Sequence, residues 1–156
     1  MTSSGGARGG GWVAGQLTIG AIAAALGFAG PRWPASARWP LVLAGVALAI
    51  LGAAMLLAGG AGLGPSLTPF PRPKDDASLT EHGVYRFVRH PMYAGAILMS
   101  LGWSLGTRPL AVAAGVALAV LFELKSRREE DWLVERYPGY PAYRARVRWR
   151  FVPGIR

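Results

Sequence analysis

The sequence predicts an all-α integral membrane protein with four transmembrane helices, the last two forming a tight helical hairpin, followed by a cytosolic C-terminal helix. Three observations carry that prediction. Of 156 residues 52% are hydrophobic, too many for so short a chain to cover with polar surface in water. The apolar residues fall in uncharged blocks, two of them long enough to cross a bilayer, for which ~20 residues are needed. The cations, finally, are distributed unevenly about four such blocks.

Residues 1–10, rich in glycine and serine, read as a flexible tail. Residues 11–64 carry the first two spans. From Gly9 to Pro31 there is no charge, and the block GWVAGQLTIGAIAAALGFAG fills this stretch. A cleaved secretory signal is the competing reading, prompted by the ASA at Ala35 to Ala37. The block exceeds the roughly 7 to 15 residues of a signal core, however, and only Arg8 supplies charge ahead of it. The second block, Trp39 to Phe70, is almost entirely Leu, Ala, Val, Ile and Gly between Pro40 and Gly64. Pro69, Pro71 and Pro73 then forbid a continuous helix.

Residues 65–156 form the rest of the chain. PMYAGAILMSLGWSLGT and PLAVAAGVALAVLF, separated by Arg108, are each short for a span and together too long for one helix, so they read as the hairpin 91–122. Pro91 suits a first helical position. The second arm runs on into the polar tail, with Lys125, Glu129, Trp132 and Arg136 on one face, until Pro138, Gly139 and Pro141 end it. Glycines four apart, in GWVAG, GAGLG and GWSLG, suggest close helix packing.

With four spans, fourteen of the seventeen Lys and Arg lie on the side of the termini and central loop, while Arg32, Arg38 and Arg108 lie opposite. The positive-inside rule places both termini in the cytosol, in an inner or plasma membrane of the bacterial type. Zero cysteines exclude disulfides, thiolate zinc sites and cysteine nucleophiles, and two histidines argue against a dedicated metal centre. The polar machinery is therefore cytosolic, in the connection LTPFPRPKDDASLTEHGVYRFVRH and the tail after Phe122.

Each feature has a plain reading. The tail cations can contact anionic headgroups, with Tyr85, Tyr93 and Trp149 as an interfacial belt. Lys125 and Glu129 can be a surface pair worth ~0.3 to 0.5 kcal/mol. Nucleic acid is not the expected partner, because a tail tethered beside an anionic leaflet meets lipid first.

Taken together, GVYRFVRHPMYAG, then a span hairpin, then K-x-x-x-E-E and ERYPGYPAYRARV, the pattern resembles the isoprenylcysteine carboxyl methyltransferase and phospholipid methyltransferase superfamily. The resemblance covers about Thr68 to Pro153. It implies a membrane-embedded enzyme that transfers a methyl group from S-adenosylmethionine to a lipidic or amphipathic acceptor at the cytosolic membrane face. It also implies that Tyr85, His90, Pro91, Met92, Tyr93 and Glu129 bind the cofactor, with Ala77, Ser78, Leu79 and Thr80 lining the site. Arg89, Lys125 and Glu130 are expected toward the acceptor, Glu130 from behind.

That reading suits the chemistry. Methyl transfer from a sulfonium needs two reactants held in line, and neither metal nor covalent nucleophile. Tyrosine rings suit the cationic sulfur, Glu129 the ammonium or ribose, and His90 with free N–H groups at the start of the third span the carboxylate. No G-x-G-x-x-G occurs anywhere in the chain. Two departures stand out: Lys125 replaces an arginine and lacks its bidentate fork, and Ala77 replaces a histidine. The acceptor atom, carboxylate, amine or thiol, is left open. The alternatives are a nicotinamide-dependent membrane reductase of the steroid reductase type and a non-enzymatic helical membrane protein.

Overall fold

The structure, a computed structural model, describes residues 9–154. The tail expected over residues 1–10 thus falls, for its first eight positions, outside the described residues, as does the cation Arg156. Five α-helices follow in order: α1 (Gly10–Leu26), α2 (Ala35–Leu63), α3 (Pro91–Thr107), α4 (Pro109–Arg136) and α5 (Tyr140–Arg146). Single 3₁₀ turns occupy Gly64–Ser66 and Gly83–Arg86, and there is no strand among the described residues.

Two helices are long and apolar enough to cross a membrane: α2 with its following turn, and α4. Helices α1 and α3 have 17 residues each, at the short end of the bilayer-crossing range of about 17–25. The outward faces are apolar. Leu17, Phe28, Leu43, Val46, Ile50, Leu57, Val116 and Val120 all stand exposed, more large apolar side chains than a water-facing surface of this size carries and the kind that lipid would cover.

Helix α2 packs chiefly on α3, antiparallel, through glycines. The buried residues of α2 are Gly45, Gly52 and Gly59, one every seven. They face Gly102, Gly95 and the Pro91–Met92 start of α3 in turn. A Cβ on Gly52 would lie 2.6 Å from the Gly95 carbonyl oxygen, and one on Gly95 would lie 2.6 Å from that of Gly52. Backbone therefore meets backbone, the arrangement that favours helix association where no hydrophobic effect is available. Of the glycines four apart, Gly102 and Gly106 take part, while Gly11, Gly60 and Gly64 have open space around them.

The single residue Arg108 separates α3 from α4, as the hairpin reading requires. At that end the Trp103 indole donates to the Ala23 carbonyl (3.2 Å) and Arg108 reaches the Gly30 carbonyl (3.5 Å). The C-terminal helix is not a separate body. Helix α4 runs unbroken through Phe122 to Arg136, and its polar last third is the predicted cytosolic helix. Pro138 and Gly139 break it as expected, but Pro141 instead occupies the first turn of α5, where a proline costs no hydrogen bond.

Candidate functional site

At the polar end of the bundle, the proline-rich connection, the start of α3, the middle of α4 and α5 enclose a cavity of about 390 Å³. It is lined by eleven of the thirteen residues singled out above: Ala77, Ser78, Leu79, Thr80, Tyr85, Arg89, His90, Met92, Tyr93, Lys125 and Glu129. Pro91 and Glu130 are not brought to it. Both are fully buried behind the wall.

Local structure explains the convergence. Gly83 has φ +59°, a left-handed turn that opens the short 3₁₀ segment and swings Tyr85 inward, where its hydroxyl donates to the Gly59 carbonyl (3.3 Å). Pro91 then starts α3, so the next N–H groups, of Met92 and Tyr93, have no acceptor within their own helix and face the cavity end. The Arg89 and His90 amides donate to the carbonyls of Trp149 (3.0 Å) and Arg150 (2.9 Å). This short extended pairing ties the end of the chain to the residues before α3.

Successive carboxylates on α4 point to different partners. Glu129 accepts from the Tyr93 hydroxyl at 2.5 Å and lines the cavity. Glu130, only 2% exposed, accepts from Arg89 Nε (2.9 Å) and Arg150 Nε (3.1 Å) and lies 3.1 Å from His90 Nε2. It therefore holds Arg89 and His90 from behind the cavity wall. Tyr93 stacks on both His90 (5.4 Å) and Phe122 (4.7 Å). Its ring and its hydroxyl are thus both engaged within the protein, and only its edge faces the cavity.

The surface pair of Lys125 and Glu129 does not form among the described residues. Lys125 is 1% exposed and donates to Gln16 Oε1 and to the Pro69 carbonyl, both at 2.9 Å, with its ammonium 5.0 Å from the Tyr93 ring. One of its three donors is left for the cavity. Nor are Tyr85 and Tyr93 an interfacial belt: Tyr85 is buried and both line the cavity. The tail cations are also more than headgroup contacts. Arg146 pairs with Glu81 (2.5 Å), Arg150 with Glu123 (2.5 Å) and Glu130, and Arg136 with the Asp75 carbonyl.

Sixteen lining residues escaped the sequence reading, among them Gln16 and three tyrosines. Gln16 was legible in principle, as a side-chain amide in an uncharged span, where polar groups usually serve a site. Tyr137, Tyr140 and Tyr143 lie in the ERYPGYPAYR stretch, whose pattern assigns none of them a role. Tyr143 donates to the Tyr85 carbonyl (2.8 Å) and Tyr137 to that of Ala77 (2.7 Å), fastening the wall. Tyr140 is 1% exposed, and its hydroxyl has no hydrogen-bond partner among the described residues. Burial raises its pKa far above the ordinary value, so it is a neutral donor.

An apolar helical bundle with a cavity at its charged end, walled by tyrosines and carboxylates, defines a membrane-type helical protein with a small-molecule site. The sequence profile of the phospholipid methyltransferase family matches residues 40–139, and the chain belongs to that family. It is also 32% identical over 89 residues to the protein-S-isoprenylcysteine O-methyltransferase of Dictyostelium discoideum, across 53% of this chain and 35% of that protein. The match thus spans about a third of that relative's length.

Proposed function

We propose that the chain is a membrane-embedded methyltransferase that uses S-adenosylmethionine and acts on a lipidic or amphipathic acceptor. The observation that carries this reading is one cavity with two characters. Its polar wall holds His90, Lys125 and Glu129, and its apolar wall holds Leu56, Leu63, Leu67, Met92, Ala96 and Phe122. Family membership and the likeness to the Dictyostelium discoideum protein support it.

The residues present fit the cofactor. Glu129 offers a carboxylate to an ammonium or to ribose hydroxyls, and the start of α3 offers N–H groups to a carboxylate. Tyr85, Tyr137 and Tyr140 supply ring surface for a cationic sulfur. When bound, S-adenosylmethionine supplies a methyl group on a sulfonium, which an acceptor lone pair takes in line as the sulfur–carbon bond breaks. The protein's task is to hold the two reactants collinear and dry, a proximity effect that needs no group of its own to react. The cavity's size lies within the ordinary small-molecule range of about 300–1,000 Å³.

All four long helices cross the bilayer in this reading, with both termini on the cytosolic side. The polar end of the bundle, where α4 passes from Phe122 to Glu123, lies at the cytosolic headgroup level. The acceptor reaches the apolar wall from lipid, and the cofactor reaches the polar wall from water.

Transfer of a labelled methyl group from S-adenosylmethionine into lipid-extractable product by the purified protein tests the proposal. Wild type should label an acceptor from a mixed membrane extract, and no label above a boiled control would count against it. Glu129→Gln should raise the KM for S-adenosylmethionine about tenfold, as expected for loss of one charge-assisted contact. An unchanged KM would remove Glu129 from the cofactor side. Lys125→Met, which keeps the buried stem, should raise the KM for the acceptor more than that for the cofactor; the opposite split would reassign the lysine.

A further inference from the structure

A second hollow, also about 390 Å³ but more open, adjoins the first and is lined by Arg89, Arg144, Ala145, Arg148 and Arg150. Arg89 belongs to both walls. Glu130 stands between the two hollows: its partners Arg89 and His90 line the main cavity, and its partners Arg89, Arg144 and Arg150 line the second.

The charges there do not balance. A guanidinium cannot be deprotonated in a protein, so the hollow carries four positive charges. The carboxylates that touch them are Glu130 and, through Arg150, Glu123, which also pairs with Arg127. The donors are also unequally used. Arg89 and Arg150 are buried or half-buried and largely committed, whereas Arg144 reaches Glu130 only at 3.6 Å with one nitrogen. Arg148 is exposed and its side chain has no hydrogen bond or ion pair among the described residues. Two guanidinium forks with unused donors thus converge beside a fixed positive wall. A tetrahedral oxyanion bearing two charges meets such a set of planar donors well.

We propose that this hollow is an anion site for a phosphate monoester, separate from the cofactor cavity and sharing Arg89 with it. The same chemistry is offered by a lipid headgroup such as that of phosphatidic acid and by a soluble phosphate ester. Position favours the lipid. Arg150 is anchored to Glu123, the first charged residue after the apolar run 109–122 of α4, so the hollow sits where hydrocarbon gives way to headgroups.

Calorimetric titration of the full chain in detergent tests this with four probes: dihexanoyl phosphatidic acid, dihexanoyl phosphatidylcholine, glycerol 3-phosphate and inorganic phosphate. Wild type should bind the phosphatidic acid saturably and the phosphatidylcholine at least tenfold more weakly, because the second lacks the monoester charge. Arg144→Gln and Arg148→Gln should each weaken phosphatidic acid about tenfold, the loss for one hydrogen-bonded charge. Arg38→Gln, at the opposite end of the bundle, should not. Both test residues are exposed, and an unchanged thermal midpoint will show each variant folded. Binding by glycerol 3-phosphate and phosphate as tight as by phosphatidic acid would name a soluble ester as the ligand of the same site; binding by the lipid alone would name the headgroup. Equal affinity for the two lipids with no binding of the soluble probes, or undiminished binding by both arginine variants, would overturn the proposal. Because the readout is binding without methyl transfer, its failure is distinct from failure of the methyltransferase reading.

Discussion

Replacing Glu130 by alanine is expected to cost about 3–5 kcal/mol of folding stability, the range for removing one partner of a buried ion pair. The carboxylate is the shared counterion of Arg89 and Arg150 and the neighbour of His90. Its loss leaves Arg150 with Glu123 alone and strands the Arg89 guanidinium, which cannot shed its proton. Arg89 keeps its bond to the Val147 carbonyl (2.7 Å), but its charge is left uncompensated. Against a total stability of ordinarily about 5–15 kcal/mol, that is a large fraction. Denaturant unfolding in detergent micelles, followed by tryptophan fluorescence, measures it. A variant within about 0.5 kcal/mol of wild type, the usual effect of a surface substitution, would show the network to be a surface feature.

The second large effect concerns the glycine contact. Gly95→Leu should prevent α2 and α3 from closing, and Gly95→Ala should cost about 1–3 kcal/mol, the usual range for overpacking. The atoms a new Cβ meets are the Gly52 carbonyl oxygen at 2.6 Å and the Leu56 amide nitrogen at 2.8 Å, which are backbone and cannot rotate away. Because α3 begins against Gly59 with Pro91 and the cavity-lining Met92, a displaced α3 should also weaken ligand binding. Gly60→Ala provides the contrast. It lies in α2 with no atom within 4 Å and should be neutral or stabilising by up to ~1 kcal/mol through helix propensity. Equal destabilisation by Gly60→Ala and Gly95→Ala would refute the packing argument.

What was legible in the sequence followed from composition and local rules. The apolar blocks of α1 to α4, the break at Arg108, the start at Pro91 and the stop before Pro138 are each set by residues close in sequence. The cavity's lining from the loop, α3 and α4 was also foreshadowed, because the resemblance rests on those segments. The rest depends on distances that no local pattern encodes. Glu129 and Glu130 are chemically alike, and one step of about 100° around a helix separates a cavity-facing carboxylate from one that anchors arginines. Arg89 and His90 are held by Trp149 and Arg150, about sixty residues away, so the tail's structural role was masked by its basic composition. The seven-residue spacing of Gly45, Gly52 and Gly59 was similarly hidden among 22 glycines. The burial of Lys125 was hidden because its partners, Gln16 and Pro69, come from α1 and the connection.

The most direct test is calorimetric titration of the detergent-purified protein with S-adenosylhomocysteine, alongside His90→Ala. The account predicts saturable binding by wild type and its loss in the variant, with helical content unchanged by circular dichroism. No binding by a folded wild type, or binding that a nicotinamide dinucleotide gives and S-adenosylhomocysteine does not, would contradict it.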